Sequence, residues 1–310
     1  MNAKDQPAAA TASGQGNGAV YVGMVLASLF WAGAFIAGKY STPYIPPFTV
    51  TFLRFLFATI VLFGVIRVQK VSLRVEKKDL PIFLFTGIVG MFGYHVLFFM
   101  SLQFTTAINS SIIAAFLPAL TALLTVFFLR QRVSGLEIFG IVLSLVGVLL
   151  TLTGASLDTL LHLSFNKGDL YMVGAVVCFA VYGIFSKRHG GKFAPIVLTF
   201  YSFLVCVIFL IPFSLAEQPW TFLGEIPASA WAAVLYMSIF PSVIGYLTQQ
   251  VAIQRIGPGP TSLFNNLTPL FSMVLSALFL GDQPQLVQIF TALLIIAGVL
   301  ICQRAAHKRG

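Results

Sequence analysis

The stretch SLQFTTAINSSIIAAFLPALTALLTVFFLRQRVSGLEIFGIVLSLVGVLL (101–150) decides the fold. Two apolar runs, 107–129 and 134–153, flank the basic RQR at 130–132. A helix crossing a bilayer needs about 20 mostly apolar residues, and each run is that long. The pattern returns 151 residues later. Gln103 falls on Gln254, Ser111 on Ser262 and Pro118 on Pro269, while VGVLL (146–150) falls on AGVLI (297–301). Nearer the N-terminus the same relation holds with a shift of 148. WAGAFIAGK (31–39) then meets FAVYGIFSK (179–187), and PFTVTFLRF (47–55) meets PIVLTFYSF (195–203). Gly90 meets Pro241, so a helix-weakening residue falls mid-span in both halves.

Working outward from these runs gives ten spans: 19–40, 47–66, 80–102, 107–129, 134–153, 168–188, 195–215, 229–252, 260–280 and 284–303. They divide into a first five-helix repeat, 19–153, and a second, 168–303. Five is odd, so the second repeat enters the bilayer with opposite orientation. That is the inverted-topology repeat of many secondary transporters, whose sites lie near the midplane between the halves. The fold class is therefore an all-α integral membrane protein. Residues 1–18 are rich in Ala, Ser, Gly, Gln and Asn and read as a disordered cytoplasmic tail. Residues 304–310 form a basic one.

Composition agrees. Of the 310 residues, 58% are hydrophobic and only 9% charged, against about 25% charged in soluble domains. Lone cysteines at 178, 206 and 302 sit in or beside apolar runs and read as small core residues. The net charge of +9 is a topology signal. With both termini cytoplasmic, 15 of the 18 Lys and Arg residues lie on the cytoplasmic side, and only Lys39, Arg54 and Lys167 remain outside that set. A nucleic-acid patch is thereby excluded.

The quoted stretch resembles the signature region of the EamA family of the drug/metabolite transporter (DMT) superfamily. So do its second copy, VAIQRIGPGPTSLFNNLTPLFSMVLSALFLGDQPQLVQIFTALLIIAGVLI (251–301), and the opening SLFWAGAFIAGKY (28–40). Within the family the chain is similar to the bacterial inner-membrane amino-acid exporters of the YddG type. One departure is Gln131, where the family carries an acid that Asp282 keeps in the second copy. The resemblance implies export of small metabolites, often amino acids, without fixing the substrate; no cofactor is expected.

Polar residues inside spans should face protein or water. Ser238, Ser242, Tyr246 and Gln249 step along one face of the eighth span, and Ser262, Asn265 or Asn266, Ser272 and Ser276 along the ninth. Met91, Tyr94 or His95, Phe98 and Ser101 do so in the third, Ser28, Trp31, Phe35 and Gly38 or Lys39 in the first, and Cys178, Tyr182 and Ser186 in the sixth. Mixed aromatic and amide faces suit a small amphipathic solute. The expected substrate-binding residues are Trp31, Tyr94, His95, Tyr182, Tyr246, Gln249, Asn265 and Asn266. Pro118, Pro241 and Pro269 are candidate hinges, since proline deletes a helical hydrogen bond. The fifth and tenth spans, with Gly140, Ser144 and Gly147, read as scaffold or as a subunit contact. Arg54, about 10 Å below the start of its helix, is expected to snorkel outward or to attract an anionic group at the outer mouth.

No carboxylate lies near mid-membrane, so a carboxylate proton relay is not expected, and His95 is the one intramembrane residue of a type whose unperturbed pKa lies near neutrality, the only plausible proton handle. There is no catalytic cluster, so the chain is not read as an enzyme, and no charge ring or Walker motif points to a channel or an ATP-driven pump. The expectation is a secondary transporter exporting amphipathic metabolites, amino acids foremost, by alternating access across the bacterial inner membrane. Multidrug, sugar and nucleotide-sugar transport on the same fold are the alternatives. The expected partners are a small-molecule substrate and the lipid bilayer.

Overall fold

The computed structural model describes residues 18–129, 134–156, 165–189, 192–256, 261 and 264–307. Among these, eight spans are helices at least 18 residues long and apolar enough to cross a membrane, and Phe264–Phe279 and Leu286–Cys302 are shorter apolar helices. The chain is an all-α, ten-helix membrane protein built of two inverted repeats. Gln131 and Ser262 lie outside the described residues, as do Arg130 and Arg132.

Sequence chemistry sets the helix ends. The second span, Pro47–Val68, and the seventh, Pro195–Ala216, each open on a proline at the first helical position, where its missing N–H removes no helical bond. The fifth, Gly135–Thr153, starts in a capping box of Ser134 and Glu137 and ends on Gly154 in the left-handed conformation. Glu217, just past the seventh span, caps the second from across the interface. Its carboxylate accepts from the backbone N–H of Phe48 at 3.1 Å, the N–H of Thr49 at 2.7 Å and the Thr49 hydroxyl at 2.7 Å. A carboxylate at a helix N-terminus also meets the positive end of the helix dipole. Glu217→Ala should lower stability by about 1.5–3 kcal/mol, the scale of a charged hydrogen bond, read as an earlier unfolding midpoint in detergent.

Four of the spans are not continuous α-helices. The third runs Leu80–Phe85, then a π-helical segment Thr86–Gly93, then Tyr94–Phe104. The eighth runs Ala228–Met237, a π-helical segment Ser238–Gly245, then Tyr246–Ile256. The repeat relation carries one π segment onto the other within a residue. The fourth span stops at Ala114 and restarts at Leu117. In the ninth, a 3-10 turn at Phe264–Asn266 precedes Leu267–Phe279. The fourth and ninth spans are therefore interrupted at the prolines that the sequence marks as candidate hinges. Pro118 and Pro269 each stand near the start of the restarted helix, where a proline is tolerated, and do not bend a continuous one. Pro241 lies within its π segment.

Packing follows the pseudo-symmetry. The fifth and tenth spans lie against each other, the second against the seventh, the first against the eighth and ninth, and the sixth against the third and fourth. The outer half holds an apolar cluster that includes Ile45, Val50, Leu102, Ala107, Ile226, Ala230 and Val234, all buried. Lys39 bonds the Leu102 carbonyl at 2.7 Å, at the end of the third span, and so supplies a donor to a carbonyl left over at a helix terminus. On the cytoplasmic side, Lys192 pairs with the buried Asp79.

Candidate functional site

The two helix breaks meet at one cavity. Pro118 and Pro269 cannot donate to the carbonyls four residues earlier, those of Ala114 and Asn265. Both residues line the cavity. This is the arrangement in which irregular backbone is tolerated at membrane depth, facing a cavity and not lipid. The volume is about 100 Å³.

The repeat relation runs through the lining. Trp31 pairs with Phe179, His95 with Tyr246, Phe98 with Gln249, Ala114 with Asn265 and Leu117 with Thr268, and all ten line the cavity. The cavity therefore sits on the pseudo-two-fold axis. Its walls are unlike, however. The two restarts contribute Ala114 and Leu117 from one repeat but Asn265 and Thr268 from the other. Among the described residues, Asn265 Oδ1 and both amide atoms of Asn266 are buried without a hydrogen-bond partner.

Six of the eight expected residues line the cavity: Trp31, Tyr94, His95, Tyr246, Gln249 and Asn265. Tyr182 stands behind the wall, its ring 5.3 Å from that of Phe179. A Cβ on Gly90 would come within 2.4 Å of the Tyr182 ring, so only glycine leaves that ring its place. Asn266 is 4% exposed and lies next to the lining. His95 donates from Nδ1 to the Met91 carbonyl at 2.9 Å, and its ring packs edge-on against Phe55 and Tyr94.

Trp31 Nε1 donates to the Pro241 carbonyl at 3.3 Å, which ties the first span to the π segment of the eighth. Ser242 donates to the Met237 carbonyl at 2.8 Å. That carbonyl is the one Pro241 leaves without its α-helical donor.

Snorkelling of Arg54 is corrected. The side chain does not reach the outer interface: it is 3% exposed, lines the cavity and donates from Nε to Ser242 Oγ at 2.9 Å. Its Cζ lies 5.6 Å from the Phe55 ring centroid and 6.0 Å from that of Phe99. Neighbouring helices wall off the route to the interface, and rings and a hydroxyl replace part of its hydration. A charge at this depth costs about 2.5–3.5 kcal/mol on insertion scales. The repeat partner of Arg54 is Ser202, which donates to Thr86 Oγ1 at 2.8 Å or to the Leu198 carbonyl at 2.7 Å. Thus the second span bonds the π segment of the eighth, and the seventh bonds that of the third. One contact of this symmetric pair is a cation and the other is neutral.

Sequence reasoning alone passes over Phe179 and Thr268 as site residues, and offers Arg54 only as snorkelling or as an anion attractor at the outer mouth. The signal for the first two is the repeat itself, since they are the partners of Trp31 and Leu117. For Arg54 it is the rarity of an intramembrane cation.

Comparison with known proteins bears on these observations. The model of the EamA-like transporter family matches residues 18–153 and 166–303. The chain is 33% identical to the uncharacterized transporter YyaM of Bacillus subtilis (strain 168), over 91% of this chain and 92% of that protein. It is 26% identical to the uncharacterized inner membrane transporter YhbE of Escherichia coli (strain K12), over 83% and 81% of the two chains. It is 24% identical to a probable terminal-alkyne amino-acid exporter of Streptantibioticus cattleyicolor, over 76% and 77%. A crystal structure at 20% identity shares the fold, with a TM-score of 0.61 over 94% of this chain and 99% of that one. The chain is a multi-pass membrane transporter and belongs to the EamA-like transporter family.

Proposed function

We propose that the protein exports small amphipathic metabolites, amino acids foremost, across the bacterial inner membrane by alternating access of its two repeats. The observation that carries this reading is the cavity on the pseudo-two-fold axis, with rings on its walls and unpartnered amide groups at one helix break. Aromatic faces attract an ammonium, and amides and hydroxyls bond either pole of a zwitterion. Its volume of about 100 Å³ is well below the roughly 300–1,000 Å³ of drug-sized ligand sites, which favours a small metabolite over a bulky drug. The relative named as an amino-acid exporter points the same way. The breaks at Pro118 and Pro269 and the π segment that holds Pro241 are the hinges of the exchange. In it, each repeat takes up the other's conformation.

The test is counterflow into proteoliposomes, with each amino acid offered in turn beside a sugar, a nucleotide-sugar and a cationic dye. Amino acids should move and the dye should not. Movement of the dye with no amino acid would replace this reading with multidrug transport.

A further inference from the structure

We infer that Arg54 is the anion-binding residue of the cavity and that the transported solute carries a carboxylate, which docks on the Arg54 guanidinium. The inference rests on the reading of this cavity as the transport site. The side chain is 3% exposed and yet lines the cavity. Its Nε is engaged by Ser242 at 2.9 Å. Among the described residues nothing accepts from the two Nη groups. Nor does any described carboxylate pair with the side chain: the described ion pairs join Lys78 to Glu76 and Lys192 to Asp79. The two rings beside Cζ compensate the charge only weakly. A guanidinium anchored through Nε presents the fixed fork that accepts a carboxylate in bidentate fashion.

Position gives the site a direction. Arg54 is seven residues, about 10 Å, below the outer end of the second span, whereas Asn265 lies near the cytoplasmic start of the ninth. The cation has no charged counterpart in the other repeat, where Ser202 stands. An α-amino acid seated here points its carboxylate outward to Arg54. Its ammonium, one carbon from the carboxylate, meets the aromatic rings of the cavity wall, and its side chain extends toward Asn265.

The experiment measures equilibrium binding to the purified full-length protein. The probes are 3-phenylpropionate, its alcohol 3-phenylpropan-1-ol, L-phenylalanine, phenethylamine and a series of short straight-chain carboxylates. The wild type should bind carboxylates at least about tenfold more tightly than the uncharged isostere, the lower end of a charged hydrogen bond. Arg54→Gln should erase that preference and leave the affinity for the alcohol unchanged. Arg54→Lys, a point charge without the fork, should keep part of it. Where Arg54→Gln yields no folded protein, Arg54→Lys and Ser242→Ala carry the test, each cutting the carboxylate preference several-fold. No carboxylate preference in the wild type, or a full preference surviving every Arg54 variant, overturns the assignment. Carboxylate binding without amino-acid counterflow would keep the Arg54 assignment and remove the amino-acid reading. Counterflow without carboxylate preference would do the reverse.

Discussion

Gly298→Leu should yield essentially no folded transporter. A Cβ at Gly298 would stand 2.4 Å from Ser144 Oγ, 2.6 Å from the Gly140 carbonyl oxygen and 2.7 Å from the Ser144 backbone nitrogen. Two of these three atoms are backbone and cannot turn aside. The clash is reciprocal, since a Cβ at Gly140 would meet the Gly298 oxygen at 2.5 Å and the Cys302 nitrogen at 2.7 Å. Here the fifth and tenth spans cross at the pseudo-two-fold axis. The repeat relation pairs Ser144 with Ile295, and the Ser144 hydroxyl bonds the Ile295 carbonyl at 3.2 Å. Helices in lipid associate through close packing of small residues, because lipid supplies no hydrophobic drive between them. A leucine forces the pair apart, and the cores under both repeats open with it. Even Gly298→Ala should be harmful. Ser144→Ala, which removes only one hydrogen bond, should cost about 0.6–1.7 kcal/mol, the range for such bonds in membranes. Size-exclusion chromatography of a fluorescent fusion separates these cases. A monodisperse Gly298→Leu peak of wild-type height would refute the close-packed axis.

The small-residue face of the fifth span, read from sequence as scaffold or as a subunit contact, is therefore occupied within the chain. Periodicity shows that such a face exists, but not which helix covers it. The same limit governs the site. Apolar runs punctuated by proline, glycine and basic residues show where the helices begin and end, because insertion depends on local composition. The repeat is equally legible, because the pairs Pro118–Pro269 and Gly90–Pro241 survive in register. What each pair does to the backbone is not. Pro118 and Pro269 cut their spans in two and bring Ala114 and Asn265 to the cavity. The Gly90 and Pro241 positions fall in π-helical segments, and a π turn shifts the phase of every residue after it. The outward course expected for Arg54 fails for a related reason. Its depth follows from counting 1.5 Å per residue, but which side of the second span faces the bundle depends on the packing of the seventh and eighth.

The second large effect is a pair of opposite changes at the ninth-span break. Asn265→Leu and Asn266→Leu should each stabilise the protein and cut transport at least about tenfold. Asn266 is 4% exposed, and among the described residues neither of its amide atoms has a partner; Asn265 Oδ1 is likewise unpartnered. A buried polar group without a partner costs about 1–3 kcal/mol, and an apolar replacement of similar shape removes that cost. Leucine matches the size of asparagine closely enough to test this. The first repeat already shows that the backbone accepts apolar side chains at such a break, since Ala114 and Ala115 hold the equivalent positions. The expected roles are a direct solute contact for Asn265, on the cavity wall, and support of that wall for Asn266 beside it. Thermal unfolding in detergent should move up for each variant while counterflow falls. A loss of stability, or a stabilised variant that transports at the wild-type rate, would show that the amides serve the fold. The comparison with Arg54→Gln then separates the two poles of the site. Loss of Arg54 should penalise carboxylates whatever their other end, whereas loss of Asn265 should penalise solutes with a polar group remote from the carboxylate and spare 3-phenylpropionate.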